Sequence, residues 1–373
     1  MTARPATGVV RAPGRVNLIG EHTDYNLGYV LPAAIDLEIR IAFVPTGDRR
    51  VELASEATGE RASFGLDTIR PNRGGMAGYV AGTAWALAEA GIPTRGFRGT
   101  LTSTLPRASG LSSSAALELA SAWALAADPT ALDPLQLARI CQRAENAYVG
   151  VNCGLMDQFA SACGVAGAGM LLDCRSLAWR PVALPLSNHT LVVVHTGSTR
   201  SLSSSQYNAR RAQCEAAVAV LAADDPAIRS LRDVTAAMLP AVRARVDEET
   251  YRRCRHVVTE NVRVEETVEA LAAGNLAGVG ALWAASHASL RDDYGVVSPE
   301  LDALVEIAGS VPGVAATRMT GAGFGGCTIN LVERAAVDAL RDRIVRDYPA
   351  RTGLTPHVYP VDAVSGAGFV AEG

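Results

Sequence analysis

From residue 35 to residue 44 the chain reads IDLEIRIAFV, alternating apolar with polar positions for most of its length, the period of a strand with one face in a core and one toward solvent. A shorter strand-like segment, GVVRA, precedes the run YVLPAAIDLEIRIAFVP, so the chain opens on β-structure. Helical spacing of apolar positions predicts helices over 78–90, 114–127 and 134–148. Between the first two, FRGTLTSTLP reads as a strand with polar alternate positions, which gives the order strand, loop, helix around residue 110. Farther on, GAGMLLDCRS and LVVVHTG read as a strand pair, a serine-rich turn leads to a helix over 207–222, and helical patterns dominate to about residue 308. TRMTGAGFGGCTINLVE reads as a glycine loop between strands, AAVDALRDRIVRDY as a helix and HVYPVDAV as a last strand. There is no internal repeat and no low-complexity linker. The boundary expected from the pattern lies around 185–189, dividing the chain into 1–185 and 186–373.

Composition narrows the classes. At 373 residues, 49% hydrophobic and 19% charged, the chain has the size and make-up of a globular protein of two domains or one large one. A formal charge of -4 supplies no basic field for a nucleic-acid backbone. Every basic side chain is arginine, so a lysine-bearing phosphate loop is excluded. The N-terminus lacks the apolar stretch of a signal peptide and no run reaches the length of a membrane span, which gives the expectation of a cytoplasmic protein with no membrane partner. Seven widely spaced cysteines without a C-x-x-C pair read as reduced, buried thiols, and six histidines without a close ligand pair offer no zinc site.

Several stretches carry candidate chemistry. PRASGLSSSAALELA, from Pro106, brings one glycine and then three consecutive serines, Ser112–Ser114, into an alanine-rich helix start. The unpaired N–H groups and partial positive charge of such a start bind an anion without a cationic side chain, while a serine cap is the plainer reading; the absence of any bulky side chain over Ser112–Ser114 favours phosphate. RAPGRVNLIGEHTDYNLG, 11–28, crowds Arg15, Asn17, Glu21, His22, Asp24 and Asn26 into a loop between strands, a composition suited to a hydroxyl-rich ligand, with a solvated loop of local turns as the alternative. GLMDQFAS places Asp157 among small and apolar neighbours as a candidate general base or a helix-start aspartate, and Glu145 in CQRAENAYVG is a candidate magnesium ligand or a polar position on an amphipathic helix. In TGAGFGGCT, Gly321, Gly323 and Gly326 satisfy G-x-G-x-x-G, but a strand-like CTINLV follows where a dinucleotide site needs a helix, so that reading is rejected. STRSLSSSQYNARRAQCE adds Arg200 and Tyr207 near a run of hydroxyls.

Together and in this order the motifs resemble those of the GHMP small-molecule kinases and, among them, the galactokinases. The resemblance rests on RAPGRVNLIGEHTDYNLGYVLP, PRASGLSSSAALELA, CGLMDQFAS, LDCRSL, SSSQYNARRAQCE, SHASLRDDY, SPELD and RMTGAGFGGCT, spanning 11–328. It implies an α+β fold: an N-terminal domain with a left-handed β-α-β nucleotide site, a ferredoxin-like C-terminal domain, and a last strand that can pack back on the first domain. It implies ATP-dependent phosphorylation of α-D-galactose at its anomeric hydroxyl, with Mg2+. Asp157 would accept the hydroxyl proton or stabilise charge as it leaves, and Arg15 would hold Asp157 ionised. Glu21, His22, Asp24, Gly154 and Tyr207 would hold the sugar, Gly110, Leu111, Ser112, Ser113 and Ser114 would wrap the ATP phosphates, and Ser114 and Glu145 would sit near magnesium. The implied partners are these small molecules; a monomer is expected, with a dimer left open. A kinase for a related sugar, N-acetylgalactosamine or arabinose, and a non-catalytic sugar sensor are the alternatives; retention of Ser114, Ala115 and Asp157 favours an active enzyme. Two departures bear on the nucleotide: Arg107, Ala108 and Ser109 replace glycines usual in the phosphate loop, and Met76 stands where many relatives carry a tryptophan near adenine.

Overall fold

The computed structural model describes residues 8–69, 74–106, 109–198 and 203–370; Arg107, Ala108 and Arg200 lie outside them. The chain starts in β1 (Gly8–Asn17) and passes through a 3-10 turn at Asp24–Asn26 and the short β2 (Tyr29–Val30) into β3 (Pro32–Thr46). The alternation read from sequence is realised in β3: Ile39, Ile41 and Phe43 are buried while Arg40, Ala42 and Val44 face solvent. β1 pairs antiparallel with β3, Val10 opposite Ile41 and Arg15 opposite Ala34, and the register shifts between Pro13 and Arg15. A bulge there re-aims the residue that follows it, and Arg15 turns into the site.

Next come the hairpin β4 (Arg50–Ser55) and β5 (Arg61–Gly65), helix α1 (Gly75–Glu89) and β6 (Gly96–Ser103). β6 lies antiparallel to β3 and parallel to β4, giving a six-stranded sheet that β13 (Gly368–Phe369), the last element of the chain, completes on the far side of β1. Helix α2 (Ser113–Leu125) packs on β1 and β3, with α1 beside it. Helix α3 (Pro134–Arg143), N-capped by Asp133, runs into a π-helical turn at Ala144–Val149 instead of continuing as one regular helix to residue 148. Such turns reposition side chains by one register and concentrate at functional sites; this one carries Glu145. Helix α4 (Met156–Cys163) follows.

The expected pairing of GAGMLLDCRS with LVVVHTG is corrected by the structure. β7 (Ala168–Asp173) pairs with β2 and β8 (Trp179–Ala183), whereas β9 (His189–His195) is an inner strand of another sheet. β8 escapes a reading of hydrophobic period because four of its five residues are exposed and one is Pro181. The remaining order is α5 (Ser203–Asp224), α6 (Leu239–Arg243), α7 (Glu248–Ala272), α8 (Leu276–Ser289), a second π-helical turn at Leu290–Tyr294, α9 (Pro299–Gly309), β10 (Val314–Thr320), β11 (Cys327–Glu333), α10 (Val337–Thr352) and β12 (His357–Val361). The third sheet, β10-β11-β9-β12, is antiparallel. Val192 and Val194 of β9 join one core with α9 and α10, while Leu191 and Val193 join the main core, which explains an unbroken apolar strand. Among the described residues no helix is long and apolar enough to cross a membrane.

One buried cation ties the two ends of the chain together. Arg318 of β10, fully buried, ion-pairs with Glu21, lies 3.6 Å from Glu260 of α7, and donates to the Leu18 carbonyl at 2.9 Å and the Ser286 hydroxyl at 3.0 Å. Removing one partner of a buried ion network strands the others in a low-dielectric interior. Arg318→Met is expected to lower unfolding free energy by about 3–5 kcal/mol in denaturant titrations; a loss below about 1 kcal/mol would contradict the role given to this network.

Candidate active site

The N-terminus of α2 answers whether the serines cap a helix or leave it open. Ser112 stands at the N-cap with φ 60 and makes no side-chain cap bond, and its buried hydroxyl has no partner among the described residues. The first-turn N–H groups are therefore left to an external anion. Gly14 of β1 allows this loop to close on the strand: a Cβ there would stand 2.6 Å from the Leu111 carbonyl, which accepts from the Arg15 N–H at 3.2 Å.

Arg15 links the loop to the candidate base. Its Nη1 donates to the Gly110 carbonyl at 2.6 Å, while Nε and Nη2 approach Asp157 Oδ1 at 2.9 and 2.7 Å. Arg15 is buried, whereas the Asp157 side chain keeps 28% of its surface exposed. Asp24 stands close by. A Cβ on Gly154 would overlap its carboxylate, so the glycine is a steric requirement. Burial, and then the charge of Asp157, pushes the Asp24 carboxyl up to about 6. Tyr207 of α5 closes the same space, its ring 5.4 Å from Tyr25 and 5.6 Å from His22, and burial followed by Asp24 holds its phenol well above the usual range.

Behind Asp157 lies an oxygen-rich pocket. The Ser114 hydroxyl and Glu145 are hydrogen-bonded, and burial, followed by the charge of Asp157, pushes Glu145 up to about 7. The Gln158 amide donates to Glu145 at 2.6 Å and to the buried Glu118 at 3.1 Å. On the opposite side, the glycine loop after β10 abuts the phosphate loop: a Cβ on Gly321 would lie 3.2 Å from the Gly110 carbonyl, and Cys327 Sγ donates to the Ser109 carbonyl at 3.3 Å. The loop leads into β11, as the rejection of a dinucleotide site requires.

Comparison with known proteins fits this geometry. The galactokinase galactose-binding signature matches residues 2–45, the N-terminal domain of GHMP kinases residues 78–165 and their C-terminal domain residues 267–350. Galactokinase of Roseiflexus sp. (strain RS-1) is 44% identical over 369 residues, covering 98% of this chain and 93% of that one. The chain belongs to the galactokinase family. The crystal structure of Lactococcus lactis galactokinase complexed with galactose superposes with a TM-score of 0.93 at 37% identity, covering 98% of this chain and 96% of that one. Methanococcus jannaschii mevalonate kinase, at 18% identity and a TM-score of 0.69, shares the fold. The expected GHMP α+β fold holds, and the protein is a sugar kinase.

In this galactokinase-family chain the motif residues divide into two groups. Asp24, Gly154, Asp157, Tyr207 and Arg15 converge on one space, and Gly110–Ser114 with Glu145 adjoin it. Glu21 and His22 are engaged elsewhere. Glu21 pairs with Arg318 and accepts from the Gly321 N–H at 3.1 Å, and burial raises its pKa despite the arginine. Both ring nitrogens of His22 are bonded within the protein, Nδ1 to the Tyr25 hydroxyl at 2.8 Å and Nε2 to the Ala322 carbonyl at 3.2 Å. Met76 is buried in the main core at the start of α1.

Sequence reasoning missed Glu118 and Gln158. The available signal was an acid inside the apolar run AALELA, a position that needs a partner once buried.

The raised Asp24 pKa has a signed consequence. Its folded value of about 6 exceeds the ordinary aspartate value of 3.8, so the free folded protein binds this proton more tightly than the unfolded chain. The associated stability is present below about pH 4 and is lost as pH rises through 6. Asp24→Asn is expected to flatten unfolding free energy between pH 4 and 6 relative to the parent, measured by denaturant melts at several pH values; an unchanged slope would contradict the assignment.

Proposed function

We propose that this enzyme transfers the terminal phosphoryl group of ATP to the anomeric hydroxyl of α-D-galactose. The observation that carries the reading is the Arg15 bridge. One guanidinium touches Asp157, which shares its space with Asp24, Gly154 and Tyr207, and the Gly110 carbonyl of the phosphate loop. A sugar hydroxyl and a phosphate held on either side of that bridge are positioned for direct transfer, where orientation and charge neutralisation dominate.

In the proposed step the anomeric oxygen bonds to the γ-phosphorus, the bond from that phosphorus to the β–γ bridging oxygen breaks, and ADP leaves with the electron pair. Asp157 takes the hydroxyl proton. Arg15 orients Asp157 and faces the transferring group with positive charge. Asp24 and Tyr207 supply the acceptor and donor that a sugar hydroxyl requires, and Gly154 keeps the space beside Asp24 free. Glu21 and His22 serve this reading as supports that hold the Asp24–Asn26 turn against the glycine loop, since their polar atoms are already bonded to protein.

Gly110–Ser114 cradles the ATP phosphates through backbone N–H groups. The donors for Mg2+ are Ser114 Oγ and the Glu145 carboxylate. These hard oxygens fit a cation that prefers one or two carboxylates together with substrate phosphates, and the Gln158 amide fixes the carboxylate from behind. When bound, the ion neutralises phosphate charge. A division of the chain at 185/186 completes the proposal: it falls between the sheets containing β8 and β9, and β13 returns across it to β1.

Asp157→Ala is expected to reduce kcat by about two to four orders of magnitude in a coupled ADP-release assay with galactose, ATP and magnesium, while galactose binding by calorimetry persists. Near-parental turnover would overturn the role of Asp157, and a parent protein that binds galactose without releasing ADP would overturn the kinase reaction.

A further inference from the structure

Tyr294 adjoins the space shared by Asp24, Asp157 and Tyr207 through Tyr25 and His22, and α5 and α7 converge on it as well. It ends the π-helical turn at Leu290–Tyr294, fully buried, with its ring 4.7 Å from that of His22 and 4.6 Å from that of His256. Its hydroxyl lies 2.8 Å from the Tyr25 hydroxyl and 3.3 Å from Cys214 Sγ. Arg210 clasps the same turn, donating to the Tyr294 carbonyl at 2.8 Å and the Gly295 carbonyl at 3.1 Å. Tyr207, Arg210 and Cys214 follow at i, i+3 and i+7 on α5, so one helix face supplies the wall of the candidate sugar site and both grips on Tyr294.

The direction of the hydrogen bonds follows from the acceptor at one end. The Ala322 carbonyl can only accept, so His22 Nε2 carries the hydrogen. Burial keeps the ring neutral, with a pKa lowered to about 3, which leaves Nδ1 as an acceptor. Tyr25 must then donate to Nδ1, Tyr294 to Tyr25, and Cys214 to Tyr294. The result is a one-way relay from α5 through the sugar loop to the glycine loop. It holds a strained segment: His22 has φ 63, in the left-handed region costly for a residue with a side chain, and Asp24 occupies the turn anchored by the adjacent Tyr25.

We propose that Tyr294 is a positioning residue for the sugar site, its hydroxyl ordering Tyr25 and, through it, the Asp24 turn and the His22 ring. The proposal rests on the galactose reading above for its kinetic arm alone. Tyr294→Phe keeps the ring stacking and removes the hydroxyl. Expected is a rise in galactose KM of about three- to tenfold, the effect of one lost buried hydrogen bond in a cooperative chain, with kcat and ATP KM within about twofold of the parent. Cys214→Ala is expected to shift galactose KM in the same direction by less, and Cys214→Ser, which keeps a donor, to restore it. In the sugar-free protein, long-range nitrogen-15 NMR of His22 is expected to show the Nε2–H tautomer throughout, because Ala322 fixes it, with the Nδ1 resonance displaced toward that of an unbonded ring nitrogen in Tyr25→Phe and by less in Tyr294→Phe.

An unchanged galactose KM together with an unchanged His22 Nδ1 resonance overturns the proposal. So does a rise in both KM values with a fall in kcat that tracks loss of melting temperature, the mark of a merely structural tyrosine. If Tyr294→Phe does not fold, the Cys214 pair carries the same test. A parent enzyme that fails to phosphorylate galactose overturns the substrate reading, and the Nδ1 measurement still decides the relay.

Discussion

A guanidinium with no access to water needs acceptors, and Arg318 finds those of its two Nη atoms where the two ends of the chain meet. Leu18 and Glu21 come from the segment after β1, Glu260 from α7 and Ser286 from α8. Glu260 illustrates the balance: burial alone would raise its pKa, yet Arg263, His256 and Arg318 together bring it down to about 2. It also accepts from the Gly20 N–H at 3.1 Å and the Ser286 hydroxyl at 2.6 Å, so the carboxylate has hydrogen-bond partners beyond its cations. Because the network ends on backbone groups of the sugar loop, the ion that joins the halves also fixes the loop's path. Glu21 and His22 belong to that framework through Arg318, Gly321, Tyr25 and Ala322.

The site ahead of this framework is built on acids. Asp24, Glu118, Glu145 and Asp157 lie close enough that Asp157 contributes to raising the other three, after burial. Arg15 is the cation in direct contact with the group, and its charge is shared with the Gly110 carbonyl. Such a cluster repels bare phosphate and favours a cation. In the proposed reaction ATP with magnesium would satisfy both demands, the helix N-terminus taking anionic oxygens and the Ser114–Glu145 pair the ion.

Much of this was legible in the sequence because residue type and order carry it. The β3 alternation, the glycine-to-strand passage at 321–327 and the small residues at 110–115 impose local geometry through sterics and period, and each appears where expected. Other features depend on partners far away in sequence. The exposed strand β8 lacks a sustained hydrophobic period, whereas β4 and β5 alternate over only six and five residues, too short a run to stand out. The π-helical turns that carry Glu145 and Tyr294 differ from regular helix by one residue of register, which composition does not encode. Glu118 reads as one polar position in a helix until Gln158, forty residues on, is placed beside it.

The want of lysine sharpens the account of how phosphate is held. A lysine brings a mobile point charge that follows its ligand, whereas an N–H cradle is fixed by backbone and binds only what reaches it in register. Precision must then come from the loop's supports. Gly14 admits the loop to β1, Arg15 grips it at Gly110, and the glycine loop presses on it from Gly321 and Cys327. The glycine loop is itself held by Glu21 at Gly321 and by His22 at Ala322. Sugar loop, glycine loop and phosphate loop therefore form one contiguous hydrogen-bonded unit, in which the acceptor and donor subsites share supports. Glu21 and His22 meet the glycine loop at Gly321 and Ala322, and the far end of that loop meets the phosphate loop at Cys327 and Ser109.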